Sequence, residues 1–113
     1  MTTPIAVITT VATEAEARAM AQALVQRRLA ACAQISPIES VYRWQGRVVQ
    51  EPECRIVVKT TRERYAQVER AIRELHSYEL PAIHALAFEA VYAPYGDWIA
   101  QSCDGGAAAP SAN

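Results

Sequence analysis

The sequence is short of nearly everything that announces a ready-made active site. Only four glycines occur in its 113 residues, at 46, 96, 105 and 106. None sits at a strand-to-helix turn, so there is no glycine-rich loop to cradle a phosphate. The two histidines, His76 and His84, belong to no H-E-x-x-H zinc helix, and no G-x-S-x-G nucleophile elbow is present. The three cysteines, Cys32, Cys54 and Cys103, are odd in number and widely spaced. They form no CxxC pair and no disulfide framework, which suits a reducing cytoplasm. An excess of one charge is also missing: 11 Lys and Arg face 12 Asp and Glu, for a net charge of −1. That excludes a strongly basic nucleic-acid binder and a polybasic membrane binder. No apolar run approaches the roughly 20 residues of a membrane span. The opening Met1-Thr2-Thr3-Pro4-Ile5 lacks the charged-then-apolar order of a secretory signal. These absences point to a cytoplasmic protein that is not an enzyme and has no nucleic-acid or membrane partner.

What is present is a globular core. Hydrophobic residues make up 51% of the chain and charged residues 20%, ordinary values for one folded domain. The β-branched run at 5–11 reads as a first strand. Thr13 and Glu16 have capping-box spacing, and a helix to about Arg28 follows, with Ala17, Met20, Ala21, Leu24 and Val25 on its apolar face. Residues 30–36 and 38–44 read as a strand in which Pro37 marks a bulge or an edge. Gln45-Gly46 is a hairpin turn. A third strand runs from Arg47 to Thr60, interrupted at Pro52. Thr60 and Glu63 suggest a second capping box, opening a helix with Tyr65, Val68, Ile72 and Leu75 as its stripe. Residues 76–81 are a loop. A fourth strand over 82–92 carries Leu86, Phe88 and Ala90 on one face. Asp97 caps a last short helical turn with Trp98 and Ile99, and the small residues from 103 to 113 read as a disordered tail.

The order β-α-β-β-α-β is the ferredoxin-like α+β arrangement, an antiparallel sheet with two helices on one face, here over 1–102. Its central hairpin is too long for the rest. A strand of about 14 residues spans roughly 45 Å, whereas a domain this size has a radius of gyration near 13 Å. Val41, Tyr42, Trp44, Val48 and Val49 therefore need cover from a second copy of the chain. Tyr42, Trp44 and Trp98 are the interface candidates, since Tyr and Trp are enriched at such surfaces.

RNA-recognition modules share the same element order, but they stack bases on aromatic residues of the central strands. Neither the first strand nor the stretch from Cys54 to Thr60 has any. Metal binding is the remaining chemistry. Cys32 and His76 are the candidate ligands, because thiolate and imidazole suit copper and zinc, with Cys54 and His84 behind them. Cys32 also reads as a small buried hydrophobe among alanines, and His76 as a helix-end residue beside the carbonyl dipole. Glu39, Glu51 and Glu53 could collect a cation but read first as a solvated edge.

Several motifs together resemble the CutA family of divalent-cation-tolerance proteins. They are Leu29-Ala30-Ala31-Cys32, Ser40-Val41-Tyr42-Arg43-Trp44-Gln45-Gly46, Val58-Lys59-Thr60, His76-Ser77-Tyr78-Glu79-Leu80-Pro81 and Tyr95-Gly96-Asp97-Trp98-Ile99. The resemblance covers about residues 5–100. It implies a homotrimer of ferredoxin-like subunits similar to PII signalling proteins, tolerance of copper and other divalent cations, and no catalytic reaction. No cofactor is required; Cu(II) or another divalent cation is the implied ligand, held weakly. Copper-binding members use a cysteine at the end of the first strand and two consecutive histidines. Here those positions are Thr9 and Leu75-His76, and the usual following proline is Ser77. The alternative is a PII-like sensor or scaffold that binds a small molecule or protein in clefts between subunits.

Overall fold

The structure is a computed structural model and describes residues 2–108, with side chains to Cys103. Strand β1 is Pro4–Val11, helix α1 Glu14–Gln26, β2 Cys32–Trp44 and β3 Arg47–Thr61. A single 3-10 turn, Arg62–Arg64, leads into α2, Tyr65–Leu75. Strand β4 is Ile83–Ala87 and α3 is Ala93–Ala108. The four strands lie in the order β2-β3-β1-β4, and every neighbouring pair is antiparallel.

The pleat sorts β1 into two faces. Ile5, Val7, Thr9 and Val11 point to one side. There they meet Met20 and Leu24 of α1 and Val68 and Ile72 of α2, over Ile56 and Val58 of β3. Each such fully buried aliphatic side chain contributes about 1.5–3 kcal/mol. Both helices cover this face, as the sequence pattern predicts, but Val25 and Leu75, expected on their apolar stripes, lie at the helix ends and stay exposed. Ile8 and Thr10 point to the opposite, open face, in register with Val57 and Arg55 of β3; His84 of β4 pairs with Ile8.

The hairpin outruns the sheet. Pairing of β1 with β3 ends at Val11 and Cys54, while β2 and β3 stay paired to Trp44 and Arg47. The result is a two-stranded arm and a molecule measuring 48 × 28 × 20 Å. Gln45 at φ 52° and Gly46 at φ 79° form its two-residue turn, with both central residues left-handed as a type I′ hairpin needs. The expected break at Pro52 does not occur: β3 is continuous there, pairing Pro52 with Glu39, and Pro37 with Cys54. A proline cannot supply the N–H of a hydrogen-bonded pair. These two pairs lie two residues apart and so share the non-bonded type. Beyond Val11, moreover, β3 has no second neighbour to ask for a donor.

Local signals failed where tertiary partners outbid them. Thr13 Oγ1 accepts from Glu16 N–H at 3.1 Å, but the Glu16 carboxylate accepts from Ser77 N–H instead of closing the box. Thr60 caps nothing: it lies inside β3, and its hydroxyl donates to the Leu29 carbonyl at 2.7 Å. Glu63 accepts from Thr3 N–H. Strand β4 stops at Ala87, so Leu86 stays exposed and Phe88 packs with Ala31, Ile99, Cys103 and Tyr95. The short last turn is a 16-residue helix. Pro94 suits its first turn, and Ile99 and Cys103, four apart, bury one stripe. Residues 104–108 of the expected tail are thus helical, and 109–113 lie outside the described residues.

Helix α1 ends at Gln26 and not at Arg28, because Arg28 turns left-handed at φ 59°. Leu29 N–H donates to the Leu24 carbonyl and Arg28 N–H to that of Val25. This is the Schellman closure, with arginine where glycine is usual. Arg28 Nη2 also donates to the Gln101 carbonyl. Replacing Arg28 with Gly and with Ala removes that bond equally, so their difference isolates the backbone. Arg28→Gly is expected to be more stable than Arg28→Ala by about 1 kcal/mol in urea unfolding.

Candidate functional site

The open face of the sheet, the arm and the loop after α2 enclose a cleft of about 520 Å³. Strand β2 supplies Ser40, Tyr42 and Trp44, β3 supplies Glu53, and the loop supplies Tyr78, Leu80 and Ala82. Two carboxylates two residues apart on β3 face the same way. Glu53 accepts a hydrogen bond from the Tyr78 hydroxyl at 2.5 Å, and Glu51 accepts one from Tyr42. Glu53 is only 8% exposed, so the expectation of a solvated edge is wrong for this residue. Its signal was present in the alternation that places Glu51 and Glu53 on the Tyr42 face; its burial depended on a loop 25 residues away.

Both phenols are tuned by these contacts. The hydrogen bond to Glu51 is the main cause that pushes Tyr42 up to about 12. Burial, then the bond to Glu53, raises Tyr78 well above the ordinary phenol value. Each tyrosine therefore stays a donor through the neutral range. The sign follows from linkage: a phenol with a raised folded value contributes stability that is present below pH 10 and lost as pH rises through that value.

His76 holds the loop. Tyr78 N–H donates to its Nδ1 at 3.1 Å, and its Nε2 lies 2.8 Å from the Thr10 carbonyl. A backbone N–H can only donate, so Nδ1 is the acceptor and the proton sits on Nε2, which donates to Thr10. Neither nitrogen offers a free lone pair. The rings of His76 and Tyr78 are 4.8 Å apart.

The other candidates lie elsewhere. Cys32 pairs with Lys59 of β3, whereas Thr10, beside His76, pairs with Arg55. Four rows of a strand separate those levels by about 13 Å. Within this chain the structure does not bring Cys32 and His76 together. Among the described residues no three His, Cys, Asp or Glu side chains form a group that could hold a metal ion. Cys54 is buried, and His84 is exposed on β4. Tyr42 and Trp44 share the cleft, but Trp98 is on α3, stacked on Tyr95 at 5.8 Å. Thr9, where copper-binding relatives are expected to carry cysteine, is fully buried on the helix-covered face. Its hydroxyl has no hydrogen-bond partner among the described residues.

Two outcomes follow. Thr9→Val removes an orphaned hydroxyl and is expected to raise unfolding free energy by about 1 kcal/mol, read by urea titration. Between pH 9.5 and 11.5 the wild type is expected to lose melting temperature faster than the Tyr42→Phe/Tyr78→Phe double variant, read by scanning calorimetry; parallel curves would remove the tyrosines from the alkaline transition.

Comparison with known proteins agrees with this geometry. The profile of the family described as "CutA1 divalent ion tolerance protein" matches residues 5–102. The divalent-cation tolerance protein CutA of Thermus thermophilus is 41% identical over 97 residues, 85% of this chain and 94% of that one. The solved structure of the periplasmic divalent cation tolerance protein CutA from Archaeoglobus fulgidus superposes with a TM-score of 0.88 at 32% identity. It covers 89% of this chain and 99% of the other. The CutA structure from Synechococcus elongatus gives 0.87 at 38% identity, over 92% and 93% of the two chains. On sequence and fold alike, this chain belongs to the CutA family of divalent-cation tolerance proteins.

Proposed function

We propose that this chain works as a homotrimer in the response to divalent cations, by binding and not by catalysis. Its working part is the cleft between the arm and loop 76–82. The observation that carries this reading is the polar floor of the cleft. Glu53 is buried there with a tyrosine hydroxyl as its donor, under a rim of Tyr42 and Trp44. Burying a carboxylate is costly unless its surroundings are organised around it, and an aromatic cleft of this volume with a few placed polar groups has the form of a small-molecule site. A PII-like sensor or scaffold is the role that suits it.

The arm supports assembly. Val41 is 63% exposed and Val48 67% exposed, on two strands that the other described residues leave uncovered there. A second copy provides that cover, and the family resemblance makes the ring three-fold. The cleft then lies beside a subunit boundary, because Tyr42 and Trp44 belong to both. The three cysteines are free thiols, which suits a reducing cytoplasm. No helix among the described residues is long and apolar enough to cross a membrane.

Light scattering is expected to give three times the 12.4 kDa chain mass, and Val41→Asp/Val48→Asp to lower it. A monomeric wild type would end the trimer reading. A chelator-buffered copper titration is expected to give affinities for wild type, His76→Ala and Cys32→Ser within about twofold of one another, since neither His76 nitrogen is free. A loss of tenfold or more in either variant would move the function from the cleft to a metal centre.

A further inference from the structure

Loop 76–82 forms one wall of the cleft, and its hold on the sheet passes through one imidazole. Only the neutral ring with its proton on Nε2 satisfies both bonds, donating to Thr10 and accepting from Tyr78. The neighbouring bonds belong to the same fastening. Ser77 N–H donates to Glu16 of α1, and the Tyr78 hydroxyl reaches Glu53 of β3.

We propose that loop 76–82 is an acid-released gate on the cleft, opened when His76 takes up a proton. The proton binds the Nδ1 lone pair, and Nδ1 becomes an N–H donor facing the N–H of Tyr78. Two donors cannot share one hydrogen bond, so the Tyr78 amide must leave and bond to water. The Tyr78 side chain moves with its backbone and gives up Glu53, and that wall of the cleft opens. Imidazole is the side chain whose charge changes in the range from pH 5 to 8.

Acidic side chains reach the loop from two elements. From α1 comes the Glu16 carboxylate, and from β3 comes Glu53 through Tyr78. Strand β1 presents the Thr10 carbonyl. Helix α2 brings Arg73 and Glu74 in its last turn, and the loop brings Glu79. The other histidine, His84, pairs on β4 with Ile8 and serves as an internal control.

The gate gives the cleft reading its regulation and in that sense rests on it, but the gate is tested without any ligand. In ¹⁵N-labelled wild type, protection of the Tyr78 amide, normalised to intrinsic exchange, is expected to fall at least tenfold from pH 8 to pH 5. Its midpoint is expected to match the His76 ring ¹⁵N shift. His76→Gln keeps an acceptor and a donor but does not titrate, so its Tyr78 protection is expected to stay constant. Wild-type protection that ignores pH would overturn the gate. So would a midpoint that follows His84 or the carboxylates. If His76→Gln does not fold, the matching of midpoints in wild type decides alone. Failure of the cleft to bind any small molecule leaves these readings unchanged, and a pH-independent loop leaves the cleft reading intact.

Discussion

Strand β3 is 15 residues long and β1 is eight, and most of this molecule follows from that mismatch. Where both strands are present, β3 is a central strand, with Ile56 and Val58 sealed under two helices. Where β1 stops, at the level of Cys54, β3 has β2 as its one strand neighbour among the described residues. The same strand thus changes from core to arm within a residue or two. Glu53 sits at that junction, which is why a carboxylate can be buried there and still face a cleft.

The loop after α2 closes the junction from the other side. Its contacts are long-range in sequence: His76 to Thr10, Ser77 to Glu16 and Tyr78 to Glu53. Each joins the loop to a different element, so the loop is fixed by the whole domain and not by its own turn chemistry. The ring nitrogens that a metal would need are already spent on this fastening.

The order of elements, most of both helix stripes, the oversized hairpin and its Gln45-Gly46 turn were readable from periodicity and length, because they depend on local pattern. The two-residue turn is a property of its own backbone. The failures share one cause. Thr60 has the spacing of a cap, yet the Leu29 carbonyl reaches its hydroxyl first. Asp97 looks like the cap of one short turn, yet Ile99 and Cys103 lie on one stripe of a longer helix and find a buried surface against Ala31. Glu53 looks like a solvated edge until Tyr78 arrives from the loop. His76 was legible as a residue of interest, but its partners were not, because no sequence spacing encodes a bond to a strand 66 residues earlier.

The two prolines of the arm carry a consequence for assembly. At a non-bonded position the main chain of a strand points outward, away from its partner. Pro37 therefore leaves a gap among the donors along the outer edge of β2, and Pro52 leaves one along the free edge of β3. A long, flat edge invites any passing strand to add on, without limit. Here an incoming strand must place a residue that wants no donor opposite each gap. The arm can accept a neighbour in few registers, which works against open-ended strand addition.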